Sequence, residues 1–197
     1  MGVGRQDLLF PAIQSLLADA ALVPADIAAV VCGEGPGSFT SLRIAGALCK
    51  GLAHGVGCPL YAAPSLLIAA ASIPVSSPSF GASTRFVVHA DALRGERYVL
   101  PVDRGDDGVV RAAGPLSRME GSALLEQFPP VQRVSVGAAP AFSDDYTVTP
   151  LVAALSNAAG EWQHRPVDLA AWEPTYGRLA EAQVKWEATH GTPLPAR

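Results

Sequence analysis

The residues best placed to do chemistry lie in one short stretch, Gly33-Glu34-Gly35-Pro36-Gly37-Ser38-Phe39-Thr40. A glycine-rich loop between a strand and a helix can offer backbone N–H groups and a helix N-terminus to an anion. The spacing here is neither GxxxxGK[ST] nor GxGxxG. Pro36 also removes a donor where a phosphate cradle needs one, and Glu34 would repel phosphate. A tight packed turn is the favoured reading of Gly35, Pro36, Gly37, Ser38, Phe39 and Thr40, with an anion site as the alternative. The histidines His54, His89, His164 and His190 are scattered, with no HExxH and no i, i+4 pair, so no metal site is expected. His89 and Asp91, two apart at a strand end, point to the same side. They could share a hydrogen bond or a ligand, and a plain surface pair is the favoured reading. No serine sits in a GxSxG elbow. Cys32, Cys49 and Cys58 form no zinc spacing and read as small, reduced core residues. No catalytic constellation and no cofactor site is expected.

The elements that position these residues alternate between strand and helix, an α/β pattern. Leu8, Leu9, Ala12, Ile13, Leu16, Leu17 and Ala20 recur at three-to-four spacing, predicting an amphipathic helix with Asp7 as N-cap and Pro11 near its first turn. Residues 27–32 form a buried strand. A second helix capped by Ser38 or Thr40 runs to about Ala53, with Leu42, Ala45, Leu48, Cys49 and Leu52 as its apolar stripe. Gly46 and Gly51 each weaken that helix by ~1 kcal/mol relative to alanine, a cost explained if another backbone packs close. Residues 58–62 read as a strand and 65–71 as a helix capped by Ser65. The Ser- and Pro-rich stretch 73–84 reads as a linker, dividing an N-terminal lobe (1–72) from a C-terminal α/β lobe (85–197). Beyond it come a strand at 85–90 and a hairpin (98–102, 109–111) around Arg104-Gly105-Asp106-Asp107-Gly108. A helix at 120–128, a strand at 131–137, and helices at 151–159 and 179–187 complete the pattern.

Composition narrows the partners. The chain has 197 residues, 49% of them hydrophobic and 16% charged, with a formal net charge of −4. That apolar excess points to a buried interface. A protein that grips nucleic acid by its own surface needs a basic excess to neutralise phosphates, and none exists. No apolar run approaches the ~20 residues of a membrane span and no signal peptide is evident. A cytoplasmic setting and no membrane association are expected.

Five segments carry a family resemblance. Gly35-Pro36-Gly37-Ser38-Phe39-Thr40-Ser41-Leu42-Arg43-Ile44, with Lys50-Gly51-Leu52-Ala53, resembles the signature of the bacterial TsaB family, formerly grouped with glycoproteases and M22-type peptidases. Leu8 to Ile13, Pro64-Ser65-Leu66, Asp91 to Tyr98 and Glu173-Pro174-Thr175-Tyr176-Gly177-Arg178 with Glu181-Ala182 fit the same family in order and spacing. The resemblance implies the actin-like, sugar-kinase and Hsp70 superfold with two small lobes. It implies a non-catalytic dimerisation subunit pairing with a TsaD-like catalytic subunit through its first two helices. With a TsaE-like ATPase, that complex transfers threonylcarbamoyl to adenosine beside the tRNA anticodon, so tRNA is touched only indirectly. Carried over by position, the interface comprises Leu9, Ile13, Leu16, Leu42, Arg43, Ala45 and Leu48, and the same patch supports a homodimer when the partner is absent. Ser41 and Gly177 depart from the family's glycine and leucine. The family's opening β-meander has no counterpart before the first helix, where only Met1 to Gln6 stand. The first sheet is therefore expected to be incomplete, with an unpaired strand edge, and a misplaced start or truncation is the expected cause. The competing reading is an enzyme, a nucleotide-binding ATPase of the superfold or a peptidase.

Overall fold

The computed structural model describes residues 8–177 and Thr189. The expected Asp7 cap, the helix at 179–187, Arg178, Glu181, Ala182 and His190 lie outside them. Helix α1 (Leu9–Asp19) leads through a 3-10 turn at Pro24–Asp26 into β1 (Val30–Gly33), the glycine loop and α2 (Phe39–Val56). β2 (Leu60–Ala63) pairs in parallel with β1, Val30 opposite Leu60 and Gly33 opposite Ala63. α2 ends at Gly57, whose left-handed φ of 79° suits a residue without Cβ. Among the described residues this first sheet has two strands. The outer edge of β2 is met by the returning chain, Val167 N–H donating to the Leu60 carbonyl at 2.8 Å. The small core here joins Val30, Cys32, Ala53 and Leu60 with Ala45, Leu52, Val167 and Trp172.

The larger sheet is mixed. β3 (Thr84–Asp91) and β4 (Glu96–Arg104) form a long antiparallel pair, with His89 opposite Val99. The free edge of β4 takes β5 (Val110–Ala112) at one end and β6 (Ser117–Glu120) at the other. On the other side β3 pairs in parallel with β7 (Arg133–Val136), and β7 with β8 (Tyr146–Val148). Strand periodicity sorts the side chains to two faces. Phe86, Val88, Tyr98, Leu100, Val102 and Val134 face α3 (Ser65–Ala71), whose Leu66, Leu67 and Ala70 are buried. Val87 and Val99 face α4 (Gly121–Gln127) through Leu124.

Several expectations shift. Strand β1 begins at Val30 rather than residue 27, and α2 continues to Val56. Glu120 closes β6 and does not open α4, and residues 152–157 are a 3-10 helix where an α-helix was expected. Pro64 stands at the N-cap of α3. The Ser65 hydroxyl instead accepts the Gly35 N–H at 3.0 Å, because the glycine loop needs that acceptor. α3, grouped by sequence with the first lobe, buries its apolar face in the larger sheet's core. The Ser/Pro stretch after it is anchored by buried Ile73 and Phe80. Their backbone carbonyls, with that of Ala70, accept bonds from the buried Arg104 guanidinium, at 2.9 Å each. One buried side chain thus ties the end of α3 to the stretch that follows it.

Candidate functional site

Two places could carry function: the glycine loop with its helices, and a buried polar cluster on the second face of the larger sheet. The loop is a packed turn. Gly35 takes φ 104° and precedes a cis Gly35–Pro36 bond, and both residues are buried. A Cβ at Gly35 would sit 2.3 Å from the Thr175 carbonyl oxygen, so only glycine fits. Two of the loop's donors are already used. Glu34 N–H bonds the Ala63 carbonyl at 2.9 Å and Gly35 N–H the Ser65 hydroxyl. Thr175 N–H donates to the Glu34 carbonyl at 2.7 Å. Burial pushes the Glu34 carboxyl pKa up, which further marks the turn as a packed element. Ser38 occupies the N-cap position of α2 without a side-chain cap bond, and Thr40 lies inside the helix.

The returning segment 172–177 clamps this unit. Pro174 and Trp172 pack on Gly46, where a Cβ would meet Pro174 Cγ at 3.0 Å. Tyr176 stacks on Phe39 with ring centroids 4.6 Å apart, and Tyr98 donates to its carbonyl. The close approach expected at the α2 glycines therefore occurs at Gly46, where side chains supply it. At Gly51 and Gly55, among the described residues, nothing beyond the helix's own backbone and the chain neighbours lies within 4 Å of an added Cβ.

The seven residues carried over as an interface divide into two groups. Leu42 is only 8% exposed, its side chain folded over Gly35 and Gly37. Ala45 packs into the small core. Both serve this chain's own packing. Leu9, Ile13 and Leu48 are half-buried, and Leu16 is 67% exposed. Arg43 is exposed, its guanidinium 5.2 Å from the Phe39 ring centroid, a cation–π contact within the helix. No residue of α1 is buried. Phe10, not singled out from the sequence, is also 67% exposed. Its place in the apolar run Leu8-Leu9-Phe10 was the available signal.

The polar cluster was not legible. His89, expected as a surface pair with Asp91, is fully buried. Its Nε2 lies 3.0 Å from Asp145 Oδ2, and its Nδ1 accepts from Arg97 Nε at 3.1 Å. Arg133 Nε donates to Asp145 Oδ1 at 2.7 Å, and Phe142 N–H to Oδ2 at 3.2 Å. Asp91 does lie on the same face, but exposed, and it meets Arg97 at 3.8 Å and not His89. The His89–Asp145 contact is short yet too poorly aligned to satisfy Nε2 fully. Burial, then the Arg97 charge, outweigh the Asp145 attraction and hold the His89 pKa down to about 4. His89 is sealed from solvent, so it suits a structural role better than proton transfer to a substrate.

This lowered pKa sets a pH dependence. Between about 6.5 and 4 the unfolded chain binds the proton and the folded chain does not, so stability falls as pH falls through that window. The full difference is about 3 kcal/mol, at 1.36 per pKa unit. Urea midpoints measured from pH 7 to pH 4 are expected to drop accordingly, and His89→Gln to flatten that slope. An unchanged slope in the variant would place the titration elsewhere.

Among the described residues no group of three or more His, Cys, Asp or Glu side chains could hold a metal, and no helix is long and apolar enough to cross a membrane.

These features define an α/β protein built from a small parallel sheet and a larger mixed one, with two helices flanking a glycine-rich turn. Two structures from Pseudomonas aeruginosa share the fold. One is described as an uncharacterized protein with similarity to the peptidase YeaZ, the other as YeaZ. TM-scores are 0.67 for both, at 23% and 21% identity. They cover 87% and 89% of this chain, and 83% and 85% of theirs. The chain thus shares the fold of these YeaZ structures. The family model described as "TsaD: tRNA N6-adenosine threonylcarbamoyltransferase" matches residues 5–143. The chain belongs to that family, and over part of its length it is similar to TsaB proteins. It is 31% identical over 101 residues to the Escherichia coli tRNA threonylcarbamoyladenosine biosynthesis protein TsaB, covering 51% of this chain and 42% of that protein. It is 42% identical over 62 residues to the Bacillus subtilis TsaB, 32% of this chain and 27% of that one. An uncharacterized Mycobacterium tuberculosis protein is 48% identical over 58 residues, 29% of this chain and 28% of its own length. The matched stretches span less than half of each of these relatives.

Proposed function

We propose that this chain is a non-catalytic scaffold subunit of a tRNA threonylcarbamoyladenosine-forming complex. It docks a TsaD-like catalytic subunit on the surface formed by α1 and the outer face of α2. One observation carries this: α1 buries no residue in its own fold, and it leaves Phe10 and Leu16 each 67% exposed. An apolar helix left uncovered marks an interaction surface. The space beyond Gly51 and Gly55, open among the described residues, lets a partner helix approach α2 closely. The interface uses Leu9, Ile13, Leu16, Arg43 and Leu48, with Phe10 added, while Leu42 and Ala45 support it from beneath. A TsaE-like ATPase joins the same complex, tRNA is held mainly by the partners in a cytoplasmic setting, and a homodimer forms through the patch when the partner is absent. We retain the lobe division at 73–84 for the backbone path, with α3 and residues 161–177 crossing it.

The nucleotide-binding alternative is disfavoured because the loop's Glu34 and Gly35 N–H groups are already bonded and Pro36 has none. The test is co-expression with the same organism's TsaD-like protein, followed by affinity capture and size exclusion. A stoichiometric complex is expected. A folded chain that stays apart from the TsaD-like protein overturns the docking reading, and saturable micromolar binding of ATP with magnesium would revive the enzyme reading.

A further inference from the structure

The segment that returns over the glycine turn is pinned from two directions. Thr175 N–H donates to the Glu34 carbonyl at 2.7 Å, and the Tyr98 hydroxyl on β4 donates to the Tyr176 carbonyl at 3.2 Å. Gly177 takes a left-handed φ of 71° against the Tyr98 ring, where an added Cβ would lie 2.5 Å from Cε1. The backbone of Tyr176 is thereby fixed between the glycine loop and the larger sheet. Its ring meets Phe39, with centroids 4.6 Å apart and planes inclined by 43°. Phe39 opens α2, is 37% exposed, and among the described residues joins none of the three apolar cores. The helix sets the position of its Cα, and the ring is placed by what it touches. Four residues on, the Arg43 guanidinium lies 5.2 Å from that ring's centroid. Side-chain contacts therefore run from a fixed strap to an exposed cation.

We propose that Tyr176 is a positioning residue of the docking surface: through Phe39 it holds the Arg43 guanidinium in place for a carboxylate of the TsaD-like partner. This inference rests on the docking reading. Docking takes the guanidinium out of water, and a charge so covered needs an acceptor. Among the described residues no ion pair of this chain reaches Arg43. Helix α2 carries no acidic residue, and α1 carries only Asp19 at its end. The acceptor must therefore come from the partner, and a carboxylate matches the planar fork of an arginine. A free arginine side chain gives up rotamer freedom on binding, and one already held over a ring gives up less. The aromatic contact and the cation–π contact supply that placement before the partner arrives.

The test is a double-mutant cycle on affinity for the TsaD-like partner, using the full chain. Arg43→Ala is expected to weaken binding about 30-fold and Tyr176→Ala about fivefold. The double variant is expected to fall within about twofold of Arg43→Ala alone, because Tyr176 acts through Arg43. Tyr176→Phe keeps the ring and is expected to bind as wild type. Added salt is expected to weaken the wild type more steeply than Arg43→Ala, as an ion pair requires. A second readout needs no partner. In the isolated chain the Arg43 side-chain resonances, displaced by the Phe39 ring current, are expected to move toward free-arginine values in Tyr176→Ala and not in Tyr176→Phe. Losses that multiply in the double variant, or Arg43 resonances indifferent to Tyr176, overturn the positioning role and leave docking intact. Equal salt slopes overturn the carboxylate. Absence of any wild-type complex overturns the docking reading and this inference with it. Should circular dichroism show that Tyr176→Ala does not fold, Phe39→Leu takes its place in the cycle with the same expectation.

Discussion

Asp145→Asn is expected to destabilise the chain by about 3–5 kcal/mol, the cost of leaving buried charge without its partner. For a domain of this size that lowers Tm by roughly 10 °C. Asp145 is the one carboxylate side chain fully buried in the cluster, where it accepts from Arg133 at 2.7 Å and from Phe142 N–H at 3.2 Å, and lies 3.0 Å from His89. The Arg133 side chain is 4% exposed and that of Arg97 12%. An asparagine fills the same volume and keeps one carbonyl acceptor, so the loss reads the charge rather than a cavity. The double variant Asp145→Asn with Arg133→Met is expected to recover most of the loss, because replacing both ends of a buried pair is often neutral. A single-variant effect below about 1 kcal/mol would show that water or backbone already compensates the arginines. The Phe128 carbonyl, which accepts from Arg133 at 2.8 Å, is the first group to examine then.

This cluster also shows where sequence reading stops. The strand–turn–helix unit around the glycine loop was legible because its signals are local: apolar spacing sets α2, and Pro36 with its flanking glycines sets the turn. The β4–β5 hairpin was equally legible from Gly105 to Gly108, where Val109 N–H bonds the Asp107 carboxylate at 2.9 Å. His89, Arg97, Arg133 and Asp145 share no spacing, since they come from three strands and a loop. Only the parallel pairing of β3 with β7, Val87 opposite Arg133 and His89 opposite Ser135, brings them onto one face. β6 and β8 escaped notice for a related reason. They are four and three residues long and mixed in polarity, and they are held by their neighbours more than by their own propensity. For the candidate site the failure was of another kind. Helical spacing identified the apolar stripe of α2 but could not say which of its residues faces inward, because the glycine loop and the returning Trp172 to Tyr176 segment compete with any partner for that stripe.

That competition separates two sets of variants, and the separation is the sharper test of docking. Phe10→Glu with Leu16→Glu places two charges at positions that are each 67% exposed. Stability is expected to stay within about 0.5 kcal/mol, as for other exposed positions. Affinity for the TsaD-like partner is expected to fall at least about 100-fold, which is two hot-spot side chains lost at the modest end of their range. Leu42→Asp is expected to do the reverse of a clean interface variant. It drives a charge into the apolar contact over Gly35 and Gly37 and costs about 3 kcal/mol or more before any partner is added. Thermal unfolding of the isolated chains, run beside capture of the partner, distinguishes the cases. Partner binding lost with Tm unchanged in the Phe10/Leu16 variant locates the surface on α1. If that variant binds as wild type while Arg43→Glu does not, the surface lies on α2 alone, and α1 is exposed for some other reason. If neither change weakens capture, the uncovered helix is not the docking surface, and the reading built on it fails.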